Sequence, residues 1–240
     1  MQNPTHDRIF KDITIVLPTL NEGENIGILI GYIKKNYPDI SILVVDDGST
    51  DGTKEVVKKA AAHDGKIALI DRAALHLQRG LTASIVYGIK AASTKYVIVM
   101  DADMQHPPAV IRSIAEKLQR CRVVVATRAS VKNWALYRKI ISRSMIYIGY
   151  FILLLRGAAR CNDIFSGYFG VERKLFVDVY KNNERRFVPY GYKVLYDFLK
   201  CIKHSEVTVC DVPYNFRIRK KGSSKAGLKQ GMALLKSFIS

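Results

Sequence analysis

Apolar positions in the first half of the chain follow two alternating periods. Short runs rich in β-branched residues, ITIVL at 13–17, ISILVV at 40–45, IALI at 67–70, YVIVM at 96–100 and VVVA at 123–126, have the length of buried strands. Between them the spacing becomes helical. Ile26, Leu29, Ile30 and Ile33 mark one face of an amphipathic helix. A start signal at Ser49-Thr50-Asp51 precedes a predicted helix over 54–61, and another is expected over about 81–92. Pro107-Pro108 is expected to open a further helix, since proline suits the first helical position. Strands and helices in this alternation predict an α/β fold with a mainly parallel central sheet and helices on both faces. The second half is less regular: an apolar helix over about 142–155, a short FSGYFGV segment, a Tyr-rich FVPYGYK loop and a basic tail. No repeat or linker interrupts the chain, so the expected layout is a single domain over 1–240 with C-terminal embellishments.

Composition agrees with one large packed domain: 240 residues, 48% of them apolar. The N-terminal MQNPTHDRIFKD lacks an apolar core, so no signal segment is expected. The four cysteines, Cys121, Cys161, Cys201 and Cys210, show no CxxC spacing and read as reduced thiols of a cytosolic chain. Charge is more informative. Lys and Arg number 38 against 21 Asp and Glu, a net of +17. No acid falls between Glu116 and Asp163, where ten basic residues do, and none follows Asp211, where seven more accumulate. Such a split presents a basic face to a polyanion: nucleic acid, anionic lipid or a phosphorylated substrate.

The unusual polar motifs all follow predicted strands: PTLNEGEN after the first, DDGSTDGT after the second and DADMQH after the fourth. Ligands in such sheets bind at the strands' carboxyl ends, so these clusters form one candidate site. Asp101 and Asp103 at a strand end can approach a single hard cation, Mg²⁺ or Mn²⁺, which substrate phosphates complete. Gln105 adds a carbonyl oxygen, and His106 is either a further ligand or a structural hydrogen-bonder. Asp46-Asp47 offers a carboxylate to a base edge or a ribose hydroxyl, and Gly48 and Gly52 permit close backbone approach. The absence of GxGxxG and GxxxxGK[ST] disfavours Rossmann dinucleotide binding and the P-loop class.

In order and spacing, PTLNEGEN, VVDDGSTDGT, RGLTAS and MDADMQHPP resemble the GT-A domain of family 2 inverting glycosyltransferases. The segments NWALYRKIISR, DIFSGYFGVERKLF, PYGYKVLYDFL and VPYNFRIRKKGSSK resemble the dolichol-phosphate mannose synthases and their polyprenyl-phosphate relatives within it. The resemblance implies a GT-A (Rossmann-like) fold with a nucleotide-sugar half over 12–127 and an acceptor half over 128–240. It implies that Pro18, Leu20, Glu22, Val45, Asp47 and Ala102 line the donor site, and that Asp101, Asp103 and Gln105 hold Mg²⁺ or Mn²⁺ against the donor diphosphate. Arg219 and Lys225 would close over that diphosphate, and Arg128, Arg138 and Ser142 would bind the acceptor lipid's phosphate. Asp103, Arg128 and Arg138 would carry the catalytic roles. Two departures stand out: Leu20 replaces a tyrosine common in the family, and the stretch between Arg128 and Trp134 is short.

The implied reaction moves mannose from GDP-mannose to dolichyl or another polyprenyl phosphate, with UDP-glucose as the alternative donor. A phosphate monoester is mostly dianionic at neutral pH and needs no general base, which suits a rim rich in arginine. Asp163 is a candidate sugar contact or a turn residue. The segment SMIYIGYFILLL, twelve residues between Arg143 and Arg156, is short of a crossing and suits a helix lying in a membrane interface. The tail's Leu228, Met232, Leu235 and Phe238 form a second apolar stripe. Many relatives carry C-terminal transmembrane helices and this sequence has none, so it is either a soluble-type member or a chain cut before them; a peripheral place on the cytoplasmic face is expected. Rival readings fit less well. A processive polysaccharide synthase lacks its QxxRW here, and a hydroxyl-acceptor transferase wants a base after SGYFG. A nucleic-acid module leaves the acidic motifs without a task.

Overall fold

The two periods of the sequence resolve into alternating strands and helices. In the computed structural model the described residues are 7–130, 136–191, 193–217, 233 and 236–238, with backbone alone at 7, 130 and 136–143. After a 3-10 turn the chain runs β1 (Ile13–Thr19), α1 (Gly23–Asn36), β2 (Ser41–Asp46), α2 (Thr53–His63) and β3 (Ile67–Asp71). It continues α3 (Leu81–Ala91), β4 (Tyr96–Val99), α4 (Val110–Leu118), β5 (Val123–Ser130) and α5 (Leu136–Leu155). The last elements are β6 (Phe169–Glu172), α6 (Arg173–Asn183), α7 (Val194–Leu199) and β7 (Val209–Asn215).

These strands form one seven-stranded sheet in the order β3-β2-β1-β4-β6-β5-β7. β2 and β4 flank β1 in parallel, β3 adds to β2, and β7 runs parallel to β5. β6 alone is reversed, pairing antiparallel with β4 (Val99 opposite Phe169) and with β5 (Val125 opposite Phe169). Its first residue therefore stands at the same edge where the other strands end. Side chains alternate across the sheet. Val16, Val97, Val99, Val123 and Val125 join the core beneath α3, α6 and α7, whereas Ile15, Leu17, Ile98 and Val124 join the core beneath α1 and α4. The stripe Ile26, Leu29, Ile30 and Ile33 is buried on that second face.

The structure corrects four sequence expectations. The run at 123–126 does not close the sheet; β6 inserts beside β4, and β7 takes the edge. The apolar helix begins earlier than expected, at Leu136. α4 begins at Val110 rather than at the prolines: the amides of Val110 and Ile111 donate to the carbonyls of Pro107 and Pro108 in a turn that precedes the helix. Last, Cys121 and Cys210 are not free thiols but a disulfide, their Cα atoms 6.0 Å apart, while Cys161 and Cys201 stay reduced. The bond ties edge strand β7 to the turn entering β5, a pairing across 89 residues that no local spacing reveals.

A thiol count tests that bond. Alkylation of the denatured, unreduced chain should modify two cysteines by mass, Cys161 and Cys201, and prior reduction should raise the count to four. Four modified cysteines without reductant would contradict the pairing.

Candidate active site

Every parallel strand ends at one rim, and the loops leaving it carry the motifs. The first two interlock. Asp46 closes β2 with both oxygens engaged: Oδ1 accepts the amides of Gly48 (3.0 Å) and Ser49 (2.8 Å), and Oδ2 accepts the hydroxyls of Thr19 (3.0 Å) and Ser49. This turn needs φ of +97° at Gly48, a conformation natural to glycine. Asn21, itself at positive φ, donates its amide to Ser49 Oγ and accepts the Thr50 amide, so the loops after β1 and β2 are stitched together. Glu22 is buried and accepts from Asn25 Nδ2 at 2.9 Å.

Asp47, one residue on, has a different partner. Its Oδ1 accepts from Arg72 Nη1 at 2.5 Å and its Oδ2 from the Gly80 amide at 2.7 Å. Arg72 also donates to Ser84 Oγ and to the Gln78 carbonyl, so it clasps the loop between β3 and α3. The carboxylate expected to meet a nucleoside is thus the anchor of that loop. Of the other donor-site candidates, Pro18 and Val45 are buried in their strands, Val45 in the core that packs against α3, and Leu20 stands half-buried at the end of β1.

β4 ends at Val99, so Asp101 and Asp103 both lie in the loop beyond it, where Met104 turns the chain at φ +63°. Ala102 and Asp103 face inward, at 2% and 4% exposure, while the Asp101 side chain is 38% exposed to the cleft. Asp103 Oδ1 accepts the Gln105 amide at 3.0 Å. Gln105 pairs with the segment just past β7: its carbonyl accepts the Arg217 amide, and its Nε2 donates to the Arg217 carbonyl at 3.2 Å, which turns Oε1 away from Arg217. Two carboxylates and an amide oxygen are a hard, all-oxygen donor set of the kind that Mg²⁺ and Mn²⁺ take when phosphate oxygens complete the shell. Among the described residues no three His, Cys, Asp or Glu side chains gather to hold a metal by themselves.

Across β6 from this loop stands Arg128, near the end of β5. Asp163 holds it by a fork, Nε to Oδ2 at 2.7 Å and Nη2 to Oδ1 at 2.9 Å, and Phe216 lies under the guanidinium at 5.8 Å. Burial works against that charge, yet the hydrogen bond and charge of Asp163 outweigh it and hold Arg128 above its ordinary pKa. Asp163 is therefore the partner of an arginine and not a simple turn residue. Lys193, which the sequence reading passed over, donates to the Phe165 carbonyl at 3.1 Å; burial, and then the nearby Arg128, push its pKa down to about 7 against the pull of Asp163 and Asp101. Lys193 thus senses both Arg128 and the carboxylates of Asp163 and Asp101. Its sequence signal was only the lysine of PYGYK, indistinguishable there from a surface cation. Arg138 and Ser142 lie one turn apart on α5, with side chains outside the described residues, and Arg219 and Lys225 also lie outside them.

Three comparisons bear on this rim. The family model for glycosyl transferase family 2 matches residues 14–179. A dolichol-phosphate mannosyltransferase of Pyrococcus furiosus is 32% identical over 220 residues, covering 89% of this chain, which spans 58% of that relative's length. The dolichol-phosphate mannosyltransferase of Mycosarcoma maydis is 28% identical over 240 residues, covering 94% of this chain and 77% of its own. Among solved structures, glucosyl-3-phosphoglycerate synthase of Mycobacterium tuberculosis, in complex with Mn²⁺, UDP-glucose and glycerol 3-phosphate, superposes with a TM-score of 0.68 at 18% identity, over 100% of this chain and 82% of that one. That likeness establishes the GT-A fold.

The Arg128–Asp163 pair predicts a measurable cost. Their side chains are 19% and 8% exposed, and removing one member of a buried pair strands the other. Asp163→Ala should lower stability in urea unfolding by about 3 kcal/mol, and the double variant Arg128→Met, Asp163→Leu should recover most of it. An unchanged midpoint in Asp163→Ala would show the pair to be screened by solvent.

Proposed function

The chain belongs to glycosyl transferase family 2, and we propose that it moves mannose from GDP-mannose to dolichyl or another polyprenyl phosphate, with Mg²⁺ or Mn²⁺ at the donor diphosphate. One observation carries the reading: the oxygen set Asp101, Asp103 and Gln105 shares its rim with an arginine, Arg128, that Asp163 fixes in place. The names of the sequence relatives support the mannose and the polyprenyl phosphate.

The donor half follows from the rim. Asp101, Asp103 and Gln105 would hold the cation; when bound, it stabilises the charge that collects on the departing diphosphate. Asp47 and Arg72 fix the loop that borders the nucleoside, with Pro18, Leu20, Glu22, Val45 and Ala102 forming or backing its walls. The acceptor half uses the cations. Arg128 is committed to Asp163 on its Nε–Nη2 edge and so meets a phosphate in one orientation only. Arg138 and Ser142 would add to it from α5, and Arg219 and Lys225 would close over the diphosphate. The acceptor phosphate oxygen attacks the anomeric carbon as the bond to the diphosphate breaks, with inversion. A dianionic phosphate is already an active nucleophile, so no side chain has to take a proton.

α5 suits an acceptor that lives in a bilayer. Tyr147, Ile148, Phe151, Leu154 and Leu155 are 71%, 45%, 61%, 56% and 70% exposed, and at 3.6 residues per turn they form a stripe ~120° wide. The opposite side packs Met145, Ile146, Tyr150 and Leu153 into the core. Exposed aromatics beside Arg156 and Arg160 are the composition of a helix that lies in a membrane surface. Among the described residues no helix is long and apolar enough to cross a membrane. The peripheral placement on the cytoplasmic face belongs to this same proposal.

Two measurements check the reading. With dolichyl phosphate and Mg²⁺ or Mn²⁺, GDP-mannose should be turned over and UDP-glucose should not. Asp101→Ala should lower the rate by ~100-fold or more, the scale of a lost metal contact. Turnover of neither donor would overturn the enzyme assignment, and preference for UDP-glucose would overturn the donor. In co-sedimentation with anionic liposomes, Phe151→Asp combined with Leu155→Asp should abolish binding without unfolding the chain; unchanged binding would remove α5 from the membrane contact.

A further inference from the structure

His106 sits 4% exposed between the cleft and edge strand β7, with a bond to each. Its Nε2 is 3.3 Å from Asp101 Oδ2, and its Nδ1 is 2.8 Å from the Tyr214 hydroxyl. Asp101 is a carboxylate and can only accept, so Nε2 carries the hydrogen. In the neutral ring Nδ1 then accepts, and Tyr214 donates. Burial, foremost, keeps the Tyr214 hydroxyl protonated, aided by the nearby carboxylates against the pull of Arg128. The imidazole thus bridges the tyrosine hydroxyl and the carboxylate.

The ring has little freedom to leave this line. Tyr168, Phe216 and Tyr214 pack against it with centroids at 5.1, 5.5 and 5.8 Å. Gly167 covers the far side of the contact: a Cβ there would stand 3.3 Å from Asp101 Oδ2 and 3.7 Å from His106 Nε2, tight enough to press on the carboxylate. Asp101 itself is 38% exposed, so this bridge joins the core to the open edge of the cleft.

We propose that Tyr214 and His106 are positioning residues of the donor site, which orient the Asp101 carboxylate for its cation by a pair of hydrogen bonds. Losing a group that holds a metal-ligating side chain typically costs about 10–100-fold in metal affinity. The device also joins the two halves of the site. Tyr214 lies opposite Arg128 in the β5–β7 register, and Phe216 touches both His106 and the Arg128 guanidinium. The carboxylate on the donor side and the arginine on the acceptor side are thereby set by one edge strand. This inference rests on the metal-diphosphate reading above, and its test separates the two.

Mn²⁺ is titrated into the folded chain with saturating GDP, and in parallel UDP, while free Mn²⁺ is read by electron paramagnetic resonance and the unfolding midpoint is recorded. His106→Phe keeps the aromatic packing and removes both bonds; it should raise the Mn²⁺ dissociation constant by about 10-fold or more. His106→Gln places an amide donor near Nε2 and should recover most of the affinity. Tyr214→Phe should fall between wild type and His106→Phe. A merely structural histidine would move the midpoint and leave Mn²⁺ affinity alone, so folded variants with wild-type affinity would overturn the inference, as would a His106→Gln no better than His106→Phe. If His106→Phe does not fold, Tyr214→Phe decides by the same reading. A wild-type chain that binds no Mn²⁺ with either nucleotide would overturn the metal reading and this inference together; wild-type binding matched by the variants would overturn this inference alone.

Discussion

β6 runs against every other strand of the sheet, and the candidate site depends on that reversal. Parallel strands deliver their trailing loops to one rim, which accounts for the motifs after β1, β2 and β4. A reversed strand delivers its leading segment there instead. Because Phe169 opens β6 opposite Val99 and Val125, the residues just before it arrive between the ends of β4 and β5. Asp163 can then fork onto Arg128, and Gly167 can lie against Asp101. Had β6 been parallel, this segment would have entered from the opposite edge, and Arg128 would face the cleft without its carboxylate. β7 completes the arrangement: parallel to β5, it ends at the rim and brings Tyr214, Phe216 and Arg217 to the loop after β4.

Charge at the rim is arranged more closely than a net of +17 suggests. Most of its carboxylates are spent inside the protein. Asp46 is saturated by its own turn, Asp47 by Arg72 and the Gly80 amide, and Asp163 by Arg128. The Asp47 and Asp163 side chains are 11% and 8% exposed, against 38% for Asp101. Asp47 and Asp163 thus each hold an arginine inside the protein, while Asp101 opens to the cleft. A guanidinium locked by one edge cannot swing freely, so its geometry is fixed in advance; in the proposed reaction that is the form of electrostatic preorganisation that lowers a barrier.

The parts legible in the sequence are those with strong local periodicity. β1 to β5 announce themselves as β-branched runs, and α1 by its apolar stripe, because burial on one or both faces imposes those patterns. The alternation implied the parallel sheet and the strand-end motif grouped Asp101, Asp103 and Gln105; the resemblance to family 2 added the GT-A name and the donor diphosphate. What stayed hidden depends on pairings distant in sequence. FGVE is four residues long and VCDVPYN carries a proline at an edge, so neither reads as a strand alone. The Cys121–Cys210 bond, the Arg72 clasp on Asp47 and the Tyr214–His106 link span 89, 25 and 108 positions. The boundary drawn between donor and acceptor halves falls inside β5 (Val123–Ser130), so the two halves share one sheet. His106 illustrates the limit best: next to two prolines it read as a ligand or a hydrogen-bonder, and only its neighbours from β7 distinguish those roles.

The central claim is that the loop after β4 clamps a cation and a diphosphate beside Arg128. A crystal structure of the chain with Mn²⁺ and GDP tests it most directly, since Mn²⁺ is located by its anomalous scattering without reference to any model of the site. The account predicts one strong peak at the rim, about 2.0–2.3 Å from oxygens of Asp101, Asp103 or Gln105 and from oxygens of the diphosphate. A peak elsewhere, or a diphosphate bound with the Asp101 carboxylate turned away from it, would contradict the account.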